Sequence, residues 1–97
     1  MKRGIQIEKQ DDVIVVLEAV QAGDWIEWSI PGGGASMVQA NEDVDIYHKL
    51  AVRDIPEGAP VHKYGERIGI AVRKIGKGDH VHVQNMRSAV KGEEDLG

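Results

Sequence analysis

The stretch Ile70-Ala71-Val72-Arg73-Lys74-Ile75-Gly76-Lys77-Gly78-Asp79-His80-Val81 decides the fold, because its pattern occurs three times. It recurs as Val15-Val16-Leu17-Glu18-Ala19-Val20-Gln21-Ala22-Gly23-Asp24-Trp25-Ile26 and as Leu50-Ala51-Val52-Arg53-Asp54-Ile55-Pro56-Glu57-Gly58-Ala59-Pro60-Val61. Each copy is a strand, a charged or small pair, an aliphatic residue, two turn residues, Gly, two more residues and a further aliphatic. A strand entering a tight type I turn needs a following residue at positive φ, where Gly carries no Cβ penalty. Pro56 suits position i+1 of such a turn because its φ is preset. Val20, Ile55 and Ile75 are expected to anchor the corners in the core. The copies are unevenly spaced, so the pattern is one compact domain reusing a corner and not a solenoid of fixed period.

Outward from the corners the signal is strand after strand. Val13-Ile14-Val15-Val16-Leu17 is apolar and mostly β-branched, as in a strand buried on both faces. Ile5 and Ile7 alternate with Gln6 and Glu8, which predicts a short half-buried strand. Trp25 to Ile30 and Ala35 to Ala40 read as further strands, separated by the breaker Pro31-Gly32-Gly33-Gly34. The best helical candidate is a single turn at Asn41 to Val44, capped by Asn41. The expectation is an all-β domain over residues 1–87, followed by an acidic, disordered tail over 88–97.

Composition removes several function classes. The chain has 97 residues, a formal net charge of −4, no Cys and no Phe. Without Cys there is no disulfide framework, thiolate metal site or thiol nucleophile. No apolar run approaches a membrane span, and Gln6, Glu8, Lys9, Gln10, Asp11 and Asp12 interrupt the start, so no signal peptide is read. A cytoplasmic location is expected. The acidic balance argues against nucleic acid as a partner. A domain this small buries roughly 60–70 % of its unfolded surface. That leaves little room for a deep pocket within one chain and favours a site completed by a partner.

The chemistry-bearing residues are few. His80 and His82 lie two apart in a predicted strand and share a face with Gln84. Such a pair can chelate a divalent metal through neutral imidazole. The competing reading is a surface strand whose buried face is Val81 and Val83. His62-Lys63-Tyr64-Gly65-Glu66 is a polar turn whose hydroxyl, ammonium and carboxylate could bind an anionic or hydroxylated ligand, or simply be a solvated hairpin. Trp25 and Trp28 read as core or interface residues.

Three segments carry a family resemblance. They are His48-Lys49-Leu50-Ala51-Val52-Arg53-Asp54-Ile55, Lys63-Tyr64-Gly65-Glu66-Arg67-Ile68-Gly69 and His80-Val81-His82-Val83-Gln84-Asn85. In this order they resemble the SAF domain of the altronate and galactarate dehydratases, a family that includes the small subunit of sulfolactate sulfo-lyase. Ile5-Gln6-Ile7, Asp11, Val13 to Leu17 and Ala22-Gly23 resemble its opening strands and first turn. The resemblance implies a β-clip fold with hairpins folded over on themselves and little or no helix. It implies a small domain, either fused or a separate subunit, that works with a much larger catalytic region to eliminate water or sulfite from a sugar acid or hydroxy acid, generally with a divalent metal such as iron.

On that resemblance His48, His82 and Tyr64 are catalytic candidates. Lys49, Lys63, Glu66 and Asn85 are substrate-binding candidates, and the spacing of His80 and His82 makes that pair the candidate metal ligands. Nothing follows residue 97, so the large region is expected on another chain; a homo-oligomer is also compatible. Two departures stand out. Glu8 replaces a common His after the first strand, and Gln84 interrupts a common His-x-His-Asn. These departures favour the alternative, a non-catalytic module that binds a sugar acid or a protein partner.

Overall fold

A computed structural model describes residues 1–88. Nine strands run in chain order: β1 Lys2–Ile5, β2 Val13–Val16, β3 Trp25–Ser29, β4 Ala35–Gln39, β5 Lys49–Ala51, β6 Pro60–Lys63, β7 Glu66–Ala71, β8 His80–Val81 and β9 Met86–Ser88. There is no helix among the described residues, and the all-β expectation holds. One sheet has the order β4-β3-β1-β2-β5-β8 and the other β6-β7-β9. Ser88, where the tail was expected to begin, ends β9 and pairs with Gly69; residues 89–97 lie outside the described residues. No described helix is long and apolar enough to cross a membrane.

The corners are four, not three. Val20 exchanges both backbone hydrogen bonds with Val44, at 2.8 and 2.9 Å, and Ile55 does so with Ile75, at 2.8 Å each way. All four side chains are buried. The corner at Val44 occupies the segment expected to hold a helical turn. There the Asn41 amide donates instead to the Lys77 carbonyl and the Asp79 carboxylate. The tight turns also start one residue later than expected. In the turn at Ile55 the Ala59 N–H donates to Pro56 O, so Pro56 is the first turn residue and Gly58 the third. Positive φ at the third position is the mark of a type II turn, not type I.

The corner pairs build two adjoining cores. Val20 and Val44 pack with Ile14, Val16, Ile26, Trp28, Val38 and Leu50. Ile55 and Ile75 pack with Val13, Ala51, Val61, Ala71 and Val81. Ile14 and Val13 thus enter different cores, as do Leu50 and Ala51, so β2 and β5 form the shared wall. This explains why the β2 run is apolar on both faces. Trp28 is core, whereas Trp25 is half exposed.

Two strand readings are corrected. The first strand is Lys2–Ile5, and its alternation is inverted: Ile5 and Ile7 face solvent while Gln6 is buried. The reason is close packing at Gly4, where a Cβ would lie 2.7 Å from Ile14, and a hydrogen bond from Gln6 to the Asp11 carbonyl. The last predicted strand stops at Val81. Residues 82–85 form a turn closed by Asn85 and Met86 N–H bonds to His82 O, and Val83 is 75 % exposed.

Candidate functional site

The pairing of β5 with β8 creates the site. Leu50 lies opposite His80 and Lys49 opposite Val81. This register brings His48, which directly precedes β5, to the imidazoles of His80 and His82. Ring centroids are 5.1 Å apart for His48–His80, 5.3 Å for His48–His82 and 5.6 Å for His80–His82. His48 Nδ1 and His80 Nε2 share a 3.0 Å hydrogen bond, which requires one to donate and the other to accept. Burial holds the His80 pKa below its ordinary value, and His48 and His82 push it the same way; Glu42 and Asp45 partly offset them.

Cationic groups line the cleft beside this cluster, and the Glu42 carboxylate accepts the His80 backbone N–H at 3.1 Å. Lys49 and His82 line a cleft of about 560 Å³ with Val72, Val83, Met86 and Arg87. Burial lowers the Lys49 pKa from the usual lysine value, and the nearby Lys63 charge lowers it further. Lys63 Nζ sits 4.5 Å above the Tyr64 ring, from the hairpin of β6 and β7. An anionic group entering the cleft would offset both penalties on Lys49.

The hairpin tip is held from below. Tyr64 and Gly65 both have positive φ, at 59° and 74°, as a two-residue type I′ turn requires. The Asp11 carboxylate, 1 % exposed, accepts N–H bonds from Tyr64 at 2.9 Å, Gly65 at 2.8 Å and Glu8 at 3.0 Å. Asp12 accepts from the His62 backbone at 2.8 Å and pairs with the His62 ring at 2.9 Å. His62 is therefore engaged with Asp12 and does not join the three clustered imidazoles.

Of the expected site residues, the structure brings together His48, His80, His82 and Lys49, with Lys63 and Tyr64 alongside. Glu66 is exposed at the foot of β7. Asn85 is buried, and its amide is spent within the turn: Nδ2 donates 2.7 Å to His80 O, and Oδ1 accepts from His82 N–H at 3.0 Å. It positions the imidazoles. Gln84 likewise donates to His80 O. Glu8 stacks against the hairpin tip, where a Cβ on Gly65 would lie 3.2 Å from its side chain.

Arg87 and Asp11 were missed as contributors to the site. Arg87 follows a turn that sequence read as strand. Asp11 was noticed for its polarity near the start and in the resemblance but given no role, although an acidic residue just before a buried strand is a usable signal. Among the described residues no three His, Cys, Asp or Glu side chains are arranged to hold a metal. Nδ1 of His48 and Nε2 of His80 are turned on each other.

Comparison with known proteins bears on this geometry. The family model described as "Altronate/galactarate dehydratase SAF domain" matches residues 2–89. The altronate dehydratase of Bacillus subtilis is 35 % identical over 88 residues, 91 % of this chain but 17 % of that protein. The altronate dehydratase of Escherichia coli is 39 % identical over 84 residues, 87 % of this chain and 16 % of that protein. The (2R)-sulfolactate sulfo-lyase subunit alpha of Chromohalobacter salexigens is 35 % identical over 85 residues, 84 % of this chain and 90 % of that subunit. The chain thus spans about a sixth of the two dehydratases and nearly all of the sulfo-lyase subunit.

Proposed function

The chain belongs to the altronate/galactarate dehydratase SAF domain family, and on that premise we propose that it is the small subunit of a two-chain lyase. It would supply part of an active site that a larger catalytic subunit completes. The reaction would eliminate water, or a similar group such as sulfite, from a sugar acid or hydroxy acid. The observation that carries this reading is the convergence of His48, His80 and His82 beside Lys49 at an open cleft. A site so open on one side suits completion by a second polypeptide.

Each side chain has a role in this reading. Lys49 and Lys63 meet the substrate carboxylate, and Arg87 adds a fork-shaped donor at the rim. His48 or His82 takes or returns a proton, with Tyr64 near the same opening. His80 and Asn85 hold the other two imidazoles in place. A divalent metal such as iron, if used, would take most of its ligands from the larger subunit, where it could stabilise charge developing on the substrate. The second reading, a non-catalytic binding module, draws support from Gln84, whose amide is turned to the His80 carbonyl and away from any ligand role.

Purification of the tagged chain from its native host tests the proposal. The expected result is a complex with a dehydratase-type polypeptide that contains a divalent metal and eliminates water or sulfite from at least one hydroxy acid in a panel. Recovery of the chain alone and metal-free would contradict it.

A further inference from the structure

The four corner turns supply an internal control. In each, the third turn residue has positive φ and donates its N–H to the carbonyl four residues before the partner corner's aliphatic residue. Gly23 donates to Ala40 O, Tyr47 to Val16 O, Gly58 to Ala71 O and Gly78 to Ala51 O, at 2.8 Å in every case. Three of the four are Gly, at φ 92°, 84° and 95°; the fourth is Tyr47, at 68°. A type II turn calls for Gly or Asn at this place, and a Tyr there is strained. The preceding residue is also exceptional. It is Ala22, Glu57 and Lys77 at the other turns and Ile46 here.

The strain has no return among the described residues. Tyr47 is 68 % exposed, Ile46 is exposed too, and no hydrogen bond or ring contact of the Tyr47 side chain exists among the described residues. Tyr presents a large amphipathic surface with few rotors, which makes it an effective anchor at interfaces. Its position fixes what it would anchor. The next residue is His48, so whatever seats on the tip borders the open imidazole cluster.

We propose that the Ile46–Tyr47 tip is the anchor by which this chain docks onto the larger catalytic polypeptide that closes its histidine site. The inference rests on the function proposed above. The occupant follows from the family comparison: this domain is only 17 % and 16 % of the two altronate dehydratases, and the relative of nearly equal length is itself named a subunit.

The test is photo-crosslinking in the native host, with Ile46→benzoylphenylalanine and, as control, Glu57→benzoylphenylalanine at the equivalent tip. Crosslinked chains are identified by mass spectrometry, and co-purification with the unmodified chain is read separately. The expected product joins Ile46, but not Glu57, to a polypeptide carrying a dehydratase-type catalytic region. A crosslink to a second copy of this chain, equal yield at Glu57, or no crosslink despite co-purification overturns the docking inference and leaves the proposed function standing. Failure of any such polypeptide to co-purify overturns both. In parallel, Tyr47→Gly is expected to raise the thermal midpoint by roughly 4 °C as strain is relieved, yet to weaken assembly about tenfold or more. Tyr47→Ala should weaken assembly equally without the gain in stability. A Tyr47→Gly chain that assembles as tightly as wild type contradicts the proposal.

Discussion

His80 is the hub of the candidate site: its ring meets His48, its neighbour His82 stacks near it, and its carbonyl receives both Asn85 and Gln84. Its lowered pKa, caused first by burial and then by the two other imidazoles, has a consequence for stability. The unfolded chain binds a proton at His80 more readily than the folded one. The stabilisation is therefore complete above the ordinary histidine value of about 6.5 and is lost as pH falls through the lowered folded value. Urea titrations between pH 7.5 and 5 should show stability declining on acidification, with the decline reduced in His80→Gln. An equal decline in that variant would remove His80 as its source. The three imidazoles could not be gathered from sequence, since His48 lies 32 residues from His80 and only the β5–β8 register joins them. The pair His80 and His82 was legible because two-residue spacing survives both a strand and the turn that replaced it.

At the scale of elements, the hairpin of β6 and β7 depends on a residue outside it. Asp11 satisfies two N–H groups at a tip where both turn residues have positive φ. Asp11→Ala should cost about 1.5–3 kcal/mol, because the part-buried tip N–H groups lose a charged acceptor. Urea unfolding measures this; a loss below about 0.5 kcal/mol, the level of an ordinary surface substitution, would mean that the hairpin holds its own tip. Asn85→Ala should release the 82–85 turn, broaden the NMR signals of the His80 and His82 rings and leave the corners unchanged. Unaltered ring signals would show that the turn is held by backbone alone. Three corners were readable because Gly marks them. The fourth was hidden because Tyr47 stands where the pattern has Gly, and Asn41 ahead of it imitates a helix cap.

Across the whole molecule, β2 and β5 face both cores, which couples them. Ile14→Ala in one and Ile75→Ala in the other should each cost about 2–5 kcal/mol. Both variants should still unfold in one transition, with Trp28 fluorescence and circular dichroism coinciding. A variant at Ile75 that loses strand signal while Trp28 stays buried would separate the cores. The all-β architecture was legible from the β-branched runs and repeated glycines. The open cleft was not, because it forms between β5 and the 82–85 turn with β9, which follow β5 only much later in the chain. Its openness fits the small size of the domain, and under the proposed function a larger polypeptide supplies the opposite wall.

That division of labour is the central claim, and turnover by the assembled complex tests it most directly. The complex with His48→Ala or His82→Ala in this chain should form normally and lose about a hundredfold or more in kcat, the range for removing a general acid or base. Glu57→Ala should retain full activity. Undiminished turnover by both histidine variants in an intact complex would contradict the account.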